Sequence, residues 1–269
     1  MKTLKIAFIG VGNMGEAMLS AILNKGLASP QTISVSDVDK TRLQSIGQRY
    51  GVIAASSNRL AVEGGEIVIL AIKPQNLAEV MAELKGQFNP SQLVLSIIAG
   101  VKIGTLCLGL GHRRVVRVMP NTPARIGEGI SVWTATPEVS KQQKGWVSAI
   151  LGIMGKEIYV DDEKYLDMAT AVSGSGPAYV FLFVESLVDA AIQIGLPREV
   201  AQELVLQTLL GSGHLLQKSG KDPAELRRMV TSRGGTTAAA LEQFEKGEFA
   251  ALVKRAVEAA YNRARELGS

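Results

Sequence analysis

Apolar and polar positions along the chain follow two regimes. Up to about residue 160, short continuous apolar and β-branched runs alternate with stretches whose apolar residues recur at helical spacing. The runs at 6–9, 32–36, 51–55, 67–72, 93–98, 115–119, 129–134 and 157–160 read as strands. I-V-I-L-A-I at 67–72 is apolar throughout, the mark of a strand buried on both faces of a helix-covered parallel sheet. Helical spacing marks 16–24, the stretch from Asp39, 76–85 and 138–151, and Ser56-Ser57-Asn58 reads as a cap before a brief helix. From Lys164 onward strand-like runs stop, and helices are predicted at 165–172, 178–194, 197–218, 223–230, 238–244 and 249–267. The pattern therefore predicts an α/β fold: a doubly wound, mostly parallel sheet in a domain of residues 1–162, followed by an all-α domain at 163–269.

Two of these helices change the picture further. Residues 178–194 are strongly apolar but carry Glu185 and Asp189, so a buried helix is expected rather than a membrane span. In the last helix Leu252, Val253, Ala256, Val257 and Ala260 share one stripe. Such helices hold more apolar surface than a thin domain buries alone, which predicts a helical dimer interface.

Composition narrows the function classes. Among 269 residues, 29 basic and 25 acidic side chains leave a net charge of only +4, too small and dispersed to argue for nucleic acid. The one basic cluster, His112-Arg113-Arg114 with Arg117, lacks interleaved aromatics and reads as a solvated turn. Cys107 is the single cysteine, so no internal disulfide forms, and it reads as a small buried hydrophobe. His112 and His214 show no metal-ligand spacing, and no metal is expected. The first residues are basic and then apolar, but Gly10, Gly12 and Asn13 interrupt the run too early for a processing signal. The cytoplasm is the expected compartment.

Candidate chemistry begins at K-I-A-F-I-G-V-G-N-M-G, residues 5–15. Strand, glycine turn and helix follow in that order, as in a Rossmann-type dinucleotide site. There Gly10 permits the tight turn, Gly12 lets a pyrophosphate approach the backbone, Gly15 lets the helix pack on the strand, and the helix N-terminus faces the phosphates. Asp37 follows 22 residues after Gly15 at a strand end, placed to accept from an adenosine ribose or to cap the next helix. Ser36, Lys40 and Arg42 are close enough to meet a 2′-phosphate, so NADH and NADPH both stay open. Pro74 in Lys73-Pro74-Gln75 ends the fourth strand, and several strands stop in small or polar loops on one rim. A second candidate is Thr231 to Thr237, where two glycines precede two threonines at a helix start and suit a carboxylate, or simply make a turn and cap. Ser173-Gly174-Ser175-Gly176 reads either as a flexible helix break or as further anion-binding amides.

The motifs F-I-G-V-G-N-M-G, A-I-K-P-Q (71–75), S-I-I-A-G-V (96–101), V-M-P-N-T-P-A (118–124), S-G-S-G-P-A-Y (173–179) and T-S-R-G-G-T-T-A-A-A-L (231–241) occur in one order that resembles the pyrroline-5-carboxylate reductase family. The resemblance implies a Rossmann domain, a helical dimerisation domain, homodimers assembled in some members into rings, and reduction of 1-pyrroline-5-carboxylate to L-proline with NADPH or NADH. It implies that Gly10, Gly12, Asn13, Met14 and Gly15 hold the pyrophosphate and that Ser36 and Asp37 face the ribose. Asn58, Ala71, Ile72, Lys73 and Pro74 would line the cofactor, with Ala99 at the nicotinamide. Ser232, Gly234, Gly235, Thr236 and Thr237, with Ser175, would bind substrate, Thr237 reaching the ring nitrogen as the catalytic group. One departure is Arg233, which stands where the family loop usually carries proline.

Two rivals differ in what they need. A β-hydroxyacid dehydrogenase needs a general base, normally a lysine shortly after a glycine-rich helix start, and P-A-Y-V-F-L-F-V-E after Gly176 has none. A non-catalytic NAD(P)-sensing module would have no use for the Gly-Gly-Thr-Thr anion site.

Overall fold

The computed structural model describes residues 4–267. All eight apolar runs form strands of one sheet: β1 (Ile6–Ile9), β2 (Ile33–Ser36), β3 (Ile53–Ala54), β4 (Ile67–Leu70), β5 (Leu93–Ser96), β6 (Val115–Met119), β7 (Gly129–Ala135) and β8 (Gly155–Tyr159). Their order is β3-β2-β1-β4-β5-β6-β7-β8, and every pairing is parallel except β6 with β7. β3 is shorter than the run at 51–55 because Gly51, at φ +67°, is still closing the preceding helix.

The helices around the sheet are α1 (Asn13–Asn24), α2 (Lys40–Tyr50), α3 (Asn58–Val62), α4 (Leu77–Leu84), α5 (Ile103–Leu110), α6 (Lys141–Gly152) and α7 (Lys164–Ala169). The remaining helices are α8 (Gly176–Gln193), α9 (Arg198–Ser219), α10 (Pro223–Met229), α11 (Thr236–Lys246) and α12 (Phe249–Leu267). Side-chain caps set several starts: Asp39 accepts from Arg42 N–H, Ser57 from Leu60 N–H, and Ser140 pairs with Gln143 in a capping box that delays α6 to residue 141. α5 is invisible to periodicity because I-G-T-L-C-L-G-L contains two glycines. Leu106 and Leu110, one turn apart and fully buried, fix it against the sheet.

Alternation along the strands divides the core in two. Ile6, Phe8, Ile67 and Ile69 pack with Met18 and Leu19 of α1 and Val147 of α6, whereas Ala7, Ile9, Val68 and Leu70 pack with Val80 of α4 and Leu106 of α5. Each such buried aliphatic contributes about 2 kcal/mol, and both faces are covered, as a parallel sheet requires.

Arg117 and His112 depart from the solvated turn expected of their cluster. β6 carries Arg117 inward at 2% exposure, where its guanidinium bonds Glu163 at 2.9 Å and Asp167 at 2.7 Å. The ring of His112 is buried and lies 2.8 Å from the Gln92 carbonyl oxygen, and burial pushes its pKa below the ordinary value. Cys107 is half-buried against the core, and burial raises its thiol pKa.

The helix break expected at 173–176 narrows to Ser175. Residues 170–174 form a π turn in which Ser175 N–H donates to the Thr170 carbonyl at 2.8 Å, and Ser175 forms the bend before α8. Gly174 has Met119 against it, where a Cβ would come within 2.5 Å of the methionine methyl. By length and composition the 30-residue stretch Lys164–Gln193 could cross a membrane. Nor is it buried as expected: of α8, Val188 alone is buried among the described residues. Contacts divide the chain into two compact units, residues 1–175 with 260–269, and residues 176–259.

Candidate active site

β1 and β4 are neighbours, while the chain runs outward from them to β2 and β3 on one side and to β5 and β6 on the other. This is the switch point of a doubly wound sheet, where a crevice opens beyond the strand C-termini. A cavity of about 410 Å³ lies there. It is lined by Gly10, Gly12, Asn13, Ser36, Asp37, Asn58, Ala71, Ile72 and Lys73, all singled out from the sequence. Ile9, Val38, Asp39, Asn76 and Val80 also line it, as does Arg42. Met14, Gly15, Pro74 and Ala99 are not among the lining residues: Met14 packs on the core and Ala99 sits in the turn after β5.

The three glycines of the turn are constrained differently. Gly10 has φ +89°, and a Cβ there would stand 2.7 Å from the Ala71 carbonyl oxygen. At Gly15 a Cβ would stand 2.6 Å from the Gly10 carbonyl oxygen. Gly12 has φ −64°, open to any residue, and a Cβ there would meet no protein atom within 4 Å. The fold therefore needs Gly10 and Gly15, whereas Gly12 leaves space on the cavity side at the N-cap of α1. That space, beside free helix N–H groups, fits a diphosphate.

Hydrogen bonds pin the turn to the end of β2. Gly10 N–H donates to the Ser36 carbonyl at 2.8 Å, and Val11 N–H donates to Asp37 Oδ2 at 2.8 Å. The other Asp37 oxygen accepts from Asp39 N–H at 2.9 Å, and Arg42 Nη1 donates to the Val11 carbonyl at 3.3 Å. Asp37 thus braces the glycine turn in addition to facing the cavity. Beside it, Ser36 Oγ lies 2.8 Å from Asn58 Oδ1, and Asn58 Nδ2 lies 2.6 Å from Glu83 Oε2. Glu16, in the first turn of α1, accepts from Tyr50 Oη and Arg49; burial first, then this carboxylate, raises the Tyr50 pKa.

In the helical unit, the loop before α11 has its own internal order. Thr231 Oγ1 donates to the Arg227 carbonyl at 2.6 Å, and Gly235 N–H donates to the Ser232 carbonyl at 3.1 Å. Gly234 takes φ +71°, which favours glycine. The N-cap of α11 is Gly235, with no side chain to accept from the first turn, so the N–H groups of Thr236 and Thr237 have no capping side chain. Arg233 and Thr236 are exposed and Thr237 is half-buried. Ser175 belongs to the other unit, and its N–H is taken up by the π turn.

A braced glycine turn at the switch point of a doubly wound sheet, with space where its middle glycine faces a cavity, defines a dinucleotide-binding protein of the Rossmann class. Two family models match the chain: "Pyrroline-5-carboxylate reductase dimerisation" over residues 163–267 and "NADP oxidoreductase coenzyme F420-dependent" over residues 5–100. The chain is 41% identical over 268 residues to pyrroline-5-carboxylate reductase of Pseudomonas aeruginosa, covering 99% of this chain and 98% of that one. It is 38% identical over 266 residues to the Arabidopsis thaliana protein of the same name, covering 99% and 96%. A crystal structure of Plasmodium falciparum pyrroline carboxylate reductase with NADP bound matches with a TM-score of 0.91 at 35% identity, covering 100% of both chains. The chain belongs to the pyrroline-5-carboxylate reductase family.

Proposed function

We propose that this protein reduces 1-pyrroline-5-carboxylate to L-proline, the last step of proline biosynthesis, with NADPH or NADH as reductant. The observation that carries the reading is Gly12, a glycine that no protein neighbour requires, at the mouth of the switch-point cavity. Family membership along nearly the whole chain supports it and favours it over the dehydrogenase and sensor alternatives.

The bound nicotinamide supplies a hydride for C5 of the cyclic imine. The chain's own residues do the holding. Gly10 makes the tight turn, and Gly12, Asn13, Met14 and Gly15 place backbone N–H groups and the α1 dipole on the diphosphate. Ser36, Asp37 and Asn58 meet the adenosine ribose, and Ala71, Ile72, Lys73, Pro74 and Ala99 lie along the nicotinamide half. The loop of Ser232, Gly234, Gly235 and Thr236 receives the substrate carboxylate at the uncapped start of α11, on the N–H groups of Thr236 and Thr237. The Thr237 hydroxyl takes the ring nitrogen. Substrate bound as the iminium needs no strong general acid, so orientation carries most of the rate.

In this reading residues 1–162 bind nucleotide, and residues 163–269 bind substrate and join two copies into a homodimer, which can assemble further into a ring. The enzyme works in the cytoplasm, without membrane or nucleic-acid partners.

The test is the loss of nucleotide absorbance when 1-pyrroline-5-carboxylate is added to protein with NADPH and, separately, with NADH. Turnover with at least one is expected. Silence with both, despite tight nucleotide binding, would favour the sensor. In the same assay Thr237→Ala should lower kcat/KM about 100-fold while nucleotide Kd stays within about twofold. Kinetics near those of the unmodified protein would remove Thr237 from the mechanism.

A further inference from the structure

The cavity wall at the end of β2 contains a chain of hydrogen bonds whose direction is set from outside the cavity. Glu83, on α4, does not line the cavity, and its Oε2 lies 2.6 Å from Asn58 Nδ2. A carboxylate has acceptors only, so Asn58 must present its amide nitrogen to Glu83 and its carbonyl oxygen to the other side. That oxygen lies 2.8 Å from Ser36 Oγ, which therefore donates its single proton to Asn58. Ser36 is left with acceptor lone pairs. The Asp37 carboxylate beside it also only accepts, and it is fixed by Val11 and Asp39 N–H groups. Arg42, which also lines the cavity, is a donor whose guanidinium bonds the Val11 carbonyl at 3.3 Å and lies 3.9 Å from Glu16.

We propose that Glu83 is a positioning residue for nucleotide selection: by fixing the Asn58 amide it makes Ser36 an acceptor, so that the wall favours a ribose 2′-hydroxyl over a 2′-phosphate. The inference rests on the reading of this cavity as the nucleotide site. A 2′-hydroxyl has a proton to give to Ser36 or Asp37, whereas a 2′-phosphate brings acceptors against acceptors. Arg42 pulls the other way, and the balance of the two sets the selectivity of the chain.

Replacing Glu83 with glutamine keeps size and hydrogen bonding but removes the one-way constraint. A glutamine amide can donate to Asn58 as well as accept from it, which lets the Asn58 amide turn over and its nitrogen face Ser36. The Ser36 proton is then free to point into the cavity and meet a phosphate oxygen.

The test is a binding measurement without substrate: NADPH and NADH titrated separately into the full chain, followed by nucleotide fluorescence, for the unmodified protein and Glu83→Gln. The expected result is a shift of the ratio Kd(NADH)/Kd(NADPH) in favour of NADPH by about tenfold, the effect of one charge-assisted hydrogen bond, with the melting temperature unchanged. Ser36→Ala supplies an independent arm if Glu83→Gln folds poorly. Removing the acceptor should weaken NADH more than NADPH. Equal weakening of both nucleotides, or a ratio unchanged within about twofold in either variant, would overturn the inference and reduce Glu83 to a purely structural tie. Failure of the unmodified protein to bind either nucleotide would instead refute the cavity assignment itself.

Discussion

In the sheet unit, β1 and β4 are buried at every position, none above 1% exposure, whereas in the helical unit only Val188 and Ala201 are buried among the described residues. Neighbouring Phe181 and Leu182 on α8 are 65% and 63% exposed, and Leu204, Leu210, Leu215 and Leu252 are exposed too. One chain thus contains a unit that closes its own core and a unit that leaves its apolar side chains uncovered. The difference teaches what each unit is for. A parallel sheet with helices on both faces is complete by itself and can present a rigid rim to a nucleotide. Long helices with uncovered leucines and phenylalanines need a further surface, and the family model over this region carries dimerisation in its description.

The comparison is broken most directly on α8. Leu182→Asp sets a charge among exposed apolar side chains, and assembly should weaken by about 1000-fold or more, read as a shift to monomer in analytical ultracentrifugation at micromolar concentration. Persistence of the same assembly would place the contact between copies away from Leu182, and a monomeric unmodified protein would mean that the helical unit is complete without a partner.

The glycine turn sharpens the other half. Gly10→Ala meets the Ala71 carbonyl oxygen and an unfavourable φ, and should cost about 2–4 kcal/mol in urea unfolding. Gly12→Ala meets nothing and should change stability by less than about 0.5 kcal/mol, yet raise nucleotide Kd about 100-fold. Equal stability losses at the two positions would show that Gly12 serves the fold rather than a ligand.

The smallest effect concerns pH. In the folded chain burial disfavours the charged form of His112 and lowers its pKa, while the unfolded chain takes up a proton below about pH 6.5. The unfolded state then binds more protons, so stability falls as pH drops through that range, by under about 1 kcal/mol. His112→Asn, which can still donate to the Gln92 carbonyl, should flatten that part of the profile in urea titrations at pH 7 and pH 5. An unchanged slope would assign the acid sensitivity elsewhere.

How much of this was legible in the sequence follows the same division. The central strands were readable because burial on both faces leaves a continuous apolar run, as at Ile67–Leu70, and the cap at Ser57 announced its helix. α5 was not, because its helicity comes from Leu106 and Leu110 reaching the core rather than from propensity. The π turn was not, because Ser173 and Gly174 look like a break until Met119 is seen against Gly174. In the cavity, Gly10, Gly12 and Asp37 were visible from spacing. The brace from Asp37 to Val11 and the tie from Asn58 to Glu83 were not, since each joins elements far apart in sequence. Arg117 likewise looked like surface charge until β6 turned it toward Glu163 and Asp167.

The central claim is that two backbone anion sites serve one reaction: the glycine turn takes the nucleotide diphosphate and the start of α11 takes a small carboxylate. The most direct measurement is a crystal structure of the protein with NADPH and L-proline. The account predicts the diphosphate on the N–H groups of Gly12 to Gly15, and the proline carboxylate on those of Thr236 and Thr237, with the nicotinamide against the proline ring. Either ligand bound elsewhere, or the two held too far apart for hydride to pass, would contradict it.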